Sequence, residues 1–235
     1  MEKEEIFRLL GVSDETELKS LLNCKSVEYA DEISEENYFI INRESSEYGI
    51  PLINCSGFEN KKHELLELPT DFNERPYICK AFLTRDSLDT LGSKKRKKLK
   101  DPIHWECVTS DIFAKKYFHR GHIIASAFGG DKKMPDTRNR GKLSQFIQTK
   151  WSNENDYGLN PYCQWHFEEK VTKAQKNSSV CLDSRLIYRN KADKIPIGIH
   201  LQAVTEEDSL FNVFLPNVDP DIKIDYKNCT FKLNR

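Results

Sequence analysis

The segments that most constrain the fold lie near the C-terminus: RLIYR (185–189), PIGIHLQAV (196–204) and SLFNVFLPN (209–217). Within the second, apolar and polar residues alternate from Ile199 through His200, Leu201 and Gln202, the period of a half-buried antiparallel strand. Other short β-prone runs, IPLIN (50–54), YICKAFL (77–83) and HWECV (104–108), are separated by turns. Residues 143–153 are helix-like, with Phe146, Ile147 and Trp151 apolar, and residues 161–176 read as a second helix with Phe167 and Val171 four apart. Strands flanking helices in this way predict an α+β fold on a mainly antiparallel sheet.

Residues 1–45 read as an acidic helical extension and residues 46–235 as the main domain. Ile6, Leu9 and Leu10 share one helical face, Gly11 breaks the run, and Ser13 is the expected N-cap of a second helix through Leu18, Leu21 and Leu22. YFII (38–41) is a short strand. Charge divides the chain in a similar place. Residues 1–50 hold 13 Asp/Glu against 5 Lys/Arg, so within an overall charge of −1 the remaining 185 residues carry +7. A basic body suits a polyanionic substrate. No apolar run approaches the roughly 18 residues of a membrane span. MEKEEIFRLL lacks the basic and apolar regions of a secretory signal, so the chain is expected in the cytoplasm or exported by a non-classical route. Seven scattered cysteines without a Cys-x-x-Cys pair predict mostly reduced, buried thiols.

The chemistry concentrates between Tyr117 and Glu168. In YFHRGHII (117–124) the Arg120-Gly121-His122 step runs into two isoleucines. That sets a histidine at the end of a buried strand, beside a glycine that lets a ligand approach the backbone. A neutral imidazole can activate water near neutrality, so His122 is the candidate general base, with a packed core histidine as the plain alternative. Asn153 offers a neutral oxygen to Mg²⁺, which takes few protein ligands, or serves as a helix-end asparagine. Glu168 is the candidate for holding a metal-bound water, with Glu169 as its rival. Arg120 presents a planar fork to a phosphate oxygen, or makes a structural ion pair. Gln148 is spaced to orient a backbone group or a water near the metal. The run KKRKKLK (94–100) holds Lys94, Lys95, Arg96, Lys97, Lys98 and Lys100, suited to phosphate contact without sequence readout. A different assembly, His119 and His122 with Cys163 and His166, has the residue types of a zinc site.

Several segments occur in a telling order: LDTLG (88–92), RGHIIA (120–125) with FGG (128–130), QTKWSN (148–153), FEEKV (167–171), PIGIHLQA (196–203), and FNVFLPN (211–217) followed by IDY (224–226). Together, over residues 48–235, they resemble the DNA/RNA non-specific endonucleases with a ββα-metal, or His-Me finger, core. The bacterial DNA-entry and secreted streptococcal-type DNases are the most similar branch. The resemblance implies a ββα-metal nuclease core and a Mg²⁺-dependent hydrolase, with Mn²⁺ the alternative ion, cutting DNA or RNA with little sequence preference. It implies that His122 takes a proton from the attacking water and that Mg²⁺ on Asn153 stabilises the departing 3′ oxygen, leaving a 5′ phosphate. It also implies secretion, and supporting roles for Gln148, His119 and Ser144. Three positions depart from the family pattern. His119 stands where Asp is usual, Ser144 where Asn is common, and Thr172 where Arg is frequent. These departures leave two other hypotheses open: a catalytically silent nucleic-acid-binding module and a zinc-stabilised interaction domain. Residues 1–45 have no counterpart in the resemblance. They are expected to cover the basic cleft, to dock a delivery or inhibitor protein, or to stabilise the fold.

Overall fold

The computed structural model describes residues 1–30, 37–43, 75–85, 101–128, 144–154 and 160–234, and the backbone of 64–66. The segments IPLIN, LDTLG and KKRKKLK, Gly129-Gly130-Asp131 and the basic loop 132–142 lie outside the described residues.

Among the described residues, seven strands form one antiparallel sheet. Their order is β1 (Val27–Tyr29), β2 (Phe39–Ile41), β9 (Ser209–Pro216), β8 (Gly198–Val204), β7 (Val180–Ile187), β4 (Ile78–Leu83) and β3 (Glu64–Leu66). One further hairpin pairs β5 (Phe118–His122) with β6 (Gln145–Thr149), and another pairs β10 (Ile222–Asp225) with β11 (Thr230–Leu233). The helices are α1 (Lys3–Leu10), α2 (Glu15–Leu22), the single turns α3 (Glu106–Thr109), α4 (Ala114–Tyr117) and α5 (Lys150–Asn153), and the longer α6 (Gln164–Gln175). This is the expected α+β class on an antiparallel sheet. Strands over YICKAFL, PIGIHLQAV and SLFNVFLPN, and the helix within 161–176, form where the pattern placed them, while the strand at RLIYR starts earlier, at Val180, and ends at Ile187.

Two large apolar clusters lie on opposite faces of β9, with Val213 and Leu215 in one and Phe214 in the other. The first packs α6, through Phe167 and Val171, against Leu182, Ile199, Leu201 and Phe211. The second joins Ile6, Leu10 and Leu18 of α1 and α2 to Phe39, Phe214, Ile147 and Trp151. The acidic N-terminal segment is thus built into a core shared with the main domain, and β1 and β2 extend its sheet. Gly11 ends α1 at a left-handed φ of 68°, a conformation that costs glycine little.

The structure corrects four local expectations. HWECV is a turn running into α3, not a strand. Residues 143–153 are not one helix, because Gln145–Thr149 is a strand and only Lys150–Asn153 turns helical. Phe146 and Ile147 are neighbours, yet each is buried in a different cluster. A strand with two buried faces does this, and periodicity alone cannot tell such a run from a helix. The strand β8 is buried along its whole length rather than on one face. Its polar side chains are satisfied inside: His200 Nε2 donates to Asn212 Oδ1 at 2.6 Å, and burial holds the imidazole pKa below its ordinary value. The N-cap of α2 is Asp14, which accepts the Glu17 N–H at 2.9 Å, while Ser13 N–H donates to the Glu17 carboxylate at 2.7 Å. Of the described cysteines, Cys24, Cys79, Cys107, Cys163 and Cys229 are free thiols and Cys181 is disulfide-bonded.

Candidate active site

The hairpin β5–β6 sets His119 opposite Gln148 and His122 opposite Gln145, and α5 starts at the residue after β6, so the three elements form a ββα unit. Thr149 is the junction. Its Oγ1 accepts the Ser152 N–H at 3.1 Å, capping α5, and donates to the Val218 carbonyl at 2.6 Å. Asn217 clasps the unit to the end of β9. Its Oδ1 accepts the Thr149 N–H at 2.8 Å, and its Nδ2 donates to the carbonyls of Ile147 and Pro196 at 3.0 and 2.9 Å. Gly121 serves this packing rather than a ligand: a Cβ there would stand 2.6 Å from the Gln148 Cβ, so only glycine lets that side chain lie across β5.

A chain of amides links the unit to α6. Gln148 Nε2 donates to Gln164 Oε1 at 3.0 Å and to Ser152 Oγ at 3.3 Å. Gln164 Nε2 donates both to the His122 carbonyl at 2.7 Å and to Glu168 Oε1 at 2.9 Å. The His122 carbonyl fixes the direction: it can only accept, so Gln164 turns its nitrogen to His122 and Glu168 and its oxygen to Gln148. The Gln148 Oε1 at the far end is left buried without a partner among the described residues. Burial pushes the Glu168 pKa up to about 7, partly offset by the Gln164 hydrogen bond. Oε2 of Glu168 has no partner among the described residues.

The imidazole of His122 lies with Nε2 3.1 Å from Gln145 Nε2, while Gln145 Oε1 is buried without a partner among the described residues. Turning this amide over places Oε1 on the histidine Nε2–H and assigns the lone pair to Nδ1, the tautomer a base requires. Asn153 sits beside His119, with Nδ2 3.4 Å from Nδ1, and the same Nδ1 is 2.7 Å from Oε1 of Glu154. The Asn153 carbonyl oxygen accepts no hydrogen bond among the described residues. The amide of Asn153 and the carboxylate of Glu154, both beside His119, carry the oxygen donor types a hard divalent cation takes. Arg120 is turned outward, paired with Asp101 at 2.7 Å and lying 4.9 Å over the Trp105 ring. Ser144 is buried, and its carbonyl extends the hairpin by accepting the Ile123 N–H at 3.0 Å.

The described contacts therefore join Gln148, Glu168 and the His122 backbone in one network, and Asn153 with His119 in another. Arg120 contacts neither through the bonds shown. Among the described residues no three His, Cys, Asp or Glu side chains gather as a zinc site would need. Cys163 instead starts α6 as a buried thiol whose pKa burial raises. Sequence reasoning missed Gln145, Glu154, Gln164 and Asn217. Gln164 and Glu168 stand at i and i+4 of a readable helix, so that pair was detectable; Gln145 needed the strand register.

No family model matches the chain. Its fold is that of solved nucleases. NucA from Streptococcus agalactiae with a magnesium ion bound is 24% identical, with a TM-score of 0.73, over 97% of this chain and 100% of that one. The metal-free form of the same protein gives 0.71 over 93% and 95%. The Sda1 nuclease with a bound zinc ion is 17% identical, with a TM-score of 0.53, over 70% of this chain and 79% of that one.

Proposed function

We propose that the chain is a divalent-metal-dependent endonuclease that hydrolyses the phosphodiester bonds of DNA and RNA with little sequence preference. The observation that supports this most is the ββα unit itself, with Asn153 one turn beyond the strand that pairs with His122. In this reading His122 accepts the proton of the attacking water at Nδ1, while Gln145 Oε1 holds Nε2–H. Asn153 holds Mg²⁺, or Mn²⁺, through its side-chain oxygen; the bound ion supplies charge stabilisation at the phosphate and the leaving oxygen. Glu168 orients water beside the ion. The ion pair of Arg120 with Asp101 is half-exposed on both sides, so exchanging it for a phosphate oxygen costs little. The Lys94–Lys100 run adds phosphate contact without readout of bases. The magnesium in NucA and the zinc in Sda1 support a divalent ion in this fold.

Plasmid nicking with Mg²⁺ tests the reading. The wild type relaxes supercoiled DNA, and His122→Ala and Asn153→Ala each lose about 10²-fold or more. Equal nicking by all three proteins overturns it. Salt-sensitive retention of DNA without cleavage in any divalent ion favours the silent binding module instead, a reading motivated by His119 in place of a carboxylate.

A further inference from the structure

Three donor-bearing side chains meet at the end of α5. His119 Nδ1 lies 2.7 Å from Glu154 Oε1 and 3.4 Å from the Asn153 amide nitrogen. Because Nδ1 carries the hydrogen that bonds Glu154, the amide turned over, with Oδ1 in the nitrogen's place, is the compatible orientation. Around a divalent ion with bonds of about 2.1 Å, neighbouring ligand atoms stand roughly 3 Å apart. The two distances from His119 Nδ1, 2.7 and 3.4 Å, bracket that spacing. Asn153 and Glu154 are consecutive, at the last turn of α5, and His119 faces them from β5.

The chemistry of the set differs from one built on oxygen alone. Mg²⁺ prefers oxygen, keeps most of its waters and gains little from an imidazole. Manganese and zinc bind imidazole nitrogen more readily, and zinc most. The His119–Glu154 pair is partly solvent-exposed, so opening it for an ion costs little. We propose that His119 and Glu154 join Asn153 as direct ligands of the cation, and that the nitrogen ligand tunes the site toward Mn²⁺ and Zn²⁺ over Mg²⁺. This rests on the reading of Asn153 as a cation ligand. An aspartate at position 119 keeps a cation site but loses the discrimination.

Calorimetric titration of the full chain with Mn²⁺, Zn²⁺ and Mg²⁺ separately, without nucleic acid, tests this in the wild type, His119→Asp, Glu154→Gln and Asn153→Ala. The wild type binds Mn²⁺ and Zn²⁺ more tightly than Mg²⁺. His119→Asp lowers the Mn²⁺-to-Mg²⁺ affinity ratio by about tenfold or more, and Glu154→Gln weakens all three ions. Thermal unfolding verifies that the variants fold, and His119→Asn repeats the comparison if His119→Asp does not. An unchanged ratio in folded His119→Asp overturns the inference, as does wild-type binding that survives Asn153→Ala undiminished. Cobalt(II) provides a second readout in His119→Ala, which adds no new ligand: its visible absorption shifts when a bound imidazole is lost and stays as in the wild type when none was bound. Ion binding that depends on His119 without plasmid nicking sinks the nuclease reading and keeps this one. Nicking that depends on Asn153 with an unchanged ratio does the reverse.

Discussion

Glu168 holds Gln164 with one oxygen in surroundings that push its pKa up to about 7 from an ordinary value of 4.5. Between those values the folded chain binds more protons than the unfolded one, so this carboxyl subtracts stability as pH rises through the window, and the full deficit is present above about pH 7. Glu168→Gln removes the deficit. In chelator, its stability relative to wild type increases steadily from pH 4.5 to 7.5 by on the order of 2 kcal/mol, discounted for the part of the side chain that water reaches. A pH-independent difference in thermal midpoint contradicts a buried, proton-holding Glu168. In the proposed mechanism Gln145 makes a different kind of contribution, because it selects which nitrogen of His122 carries the proton. Gln145→Leu lowers kcat toward the loss of a general base, about 10²-fold, with DNA affinity unchanged. Gln145→Glu keeps an acceptor at the same place and retains turnover. Wild-type turnover in Gln145→Leu means that another group sets the tautomer.

The ββα unit depends on one residue outside it. Asn217 is buried and satisfies the Thr149 N–H and the carbonyls of Ile147 and Pro196. Asn217→Ala leaves three buried backbone groups without partners, at about 1–3 kcal/mol each before relaxation. Denaturant melts should show a loss of at least about 3 kcal/mol, and a loss below about 1 kcal/mol means water replaces the clasp. This dependence also marks what the sequence could disclose. Arg120-Gly121-His122 and Trp151-Ser152-Asn153 were legible because their meaning is local: a strand end and a helical turn. So were α6 and the C-terminal strands, whose apolar positions repeat with a clear period. The strand β6 was not, since Phe146 and Ile147 feed opposite cores and mimic a helical face. Nor was the buried polar face of β8, where His200 looks like a solvent-facing residue until Asn212 is found beside it. Gln145, Glu154 and Asn217 act through register or across long stretches of chain, which no local pattern reports.

At the scale of the molecule, the two ends of the chain hold each other. Ile6, Leu10 and Leu18 are fully buried against Phe39 and Phe214, and Arg189 donates to the Leu10 carbonyl at the C-terminal end of α1. Full burial of each such aliphatic side chain contributes about 2 kcal/mol. Deleting residues 1–30 therefore lowers the thermal midpoint sharply, or yields insoluble protein, without raising the nicking rate. A stable truncated chain that nicks faster shows instead that this segment covers the cleft. The clasp formed by Asn217 has a temporal consequence as well. A chain is synthesised from its N-terminus, and domains fold as their parts become available. Asn217 follows Thr149 by 68 residues, so β5, β6 and α5 leave the ribosome long before the residue that secures them. A nascent chain carries His122, Asn153 and Glu168 yet cannot keep them in register. In the proposed nuclease, cutting ability then arrives only with the closing strands.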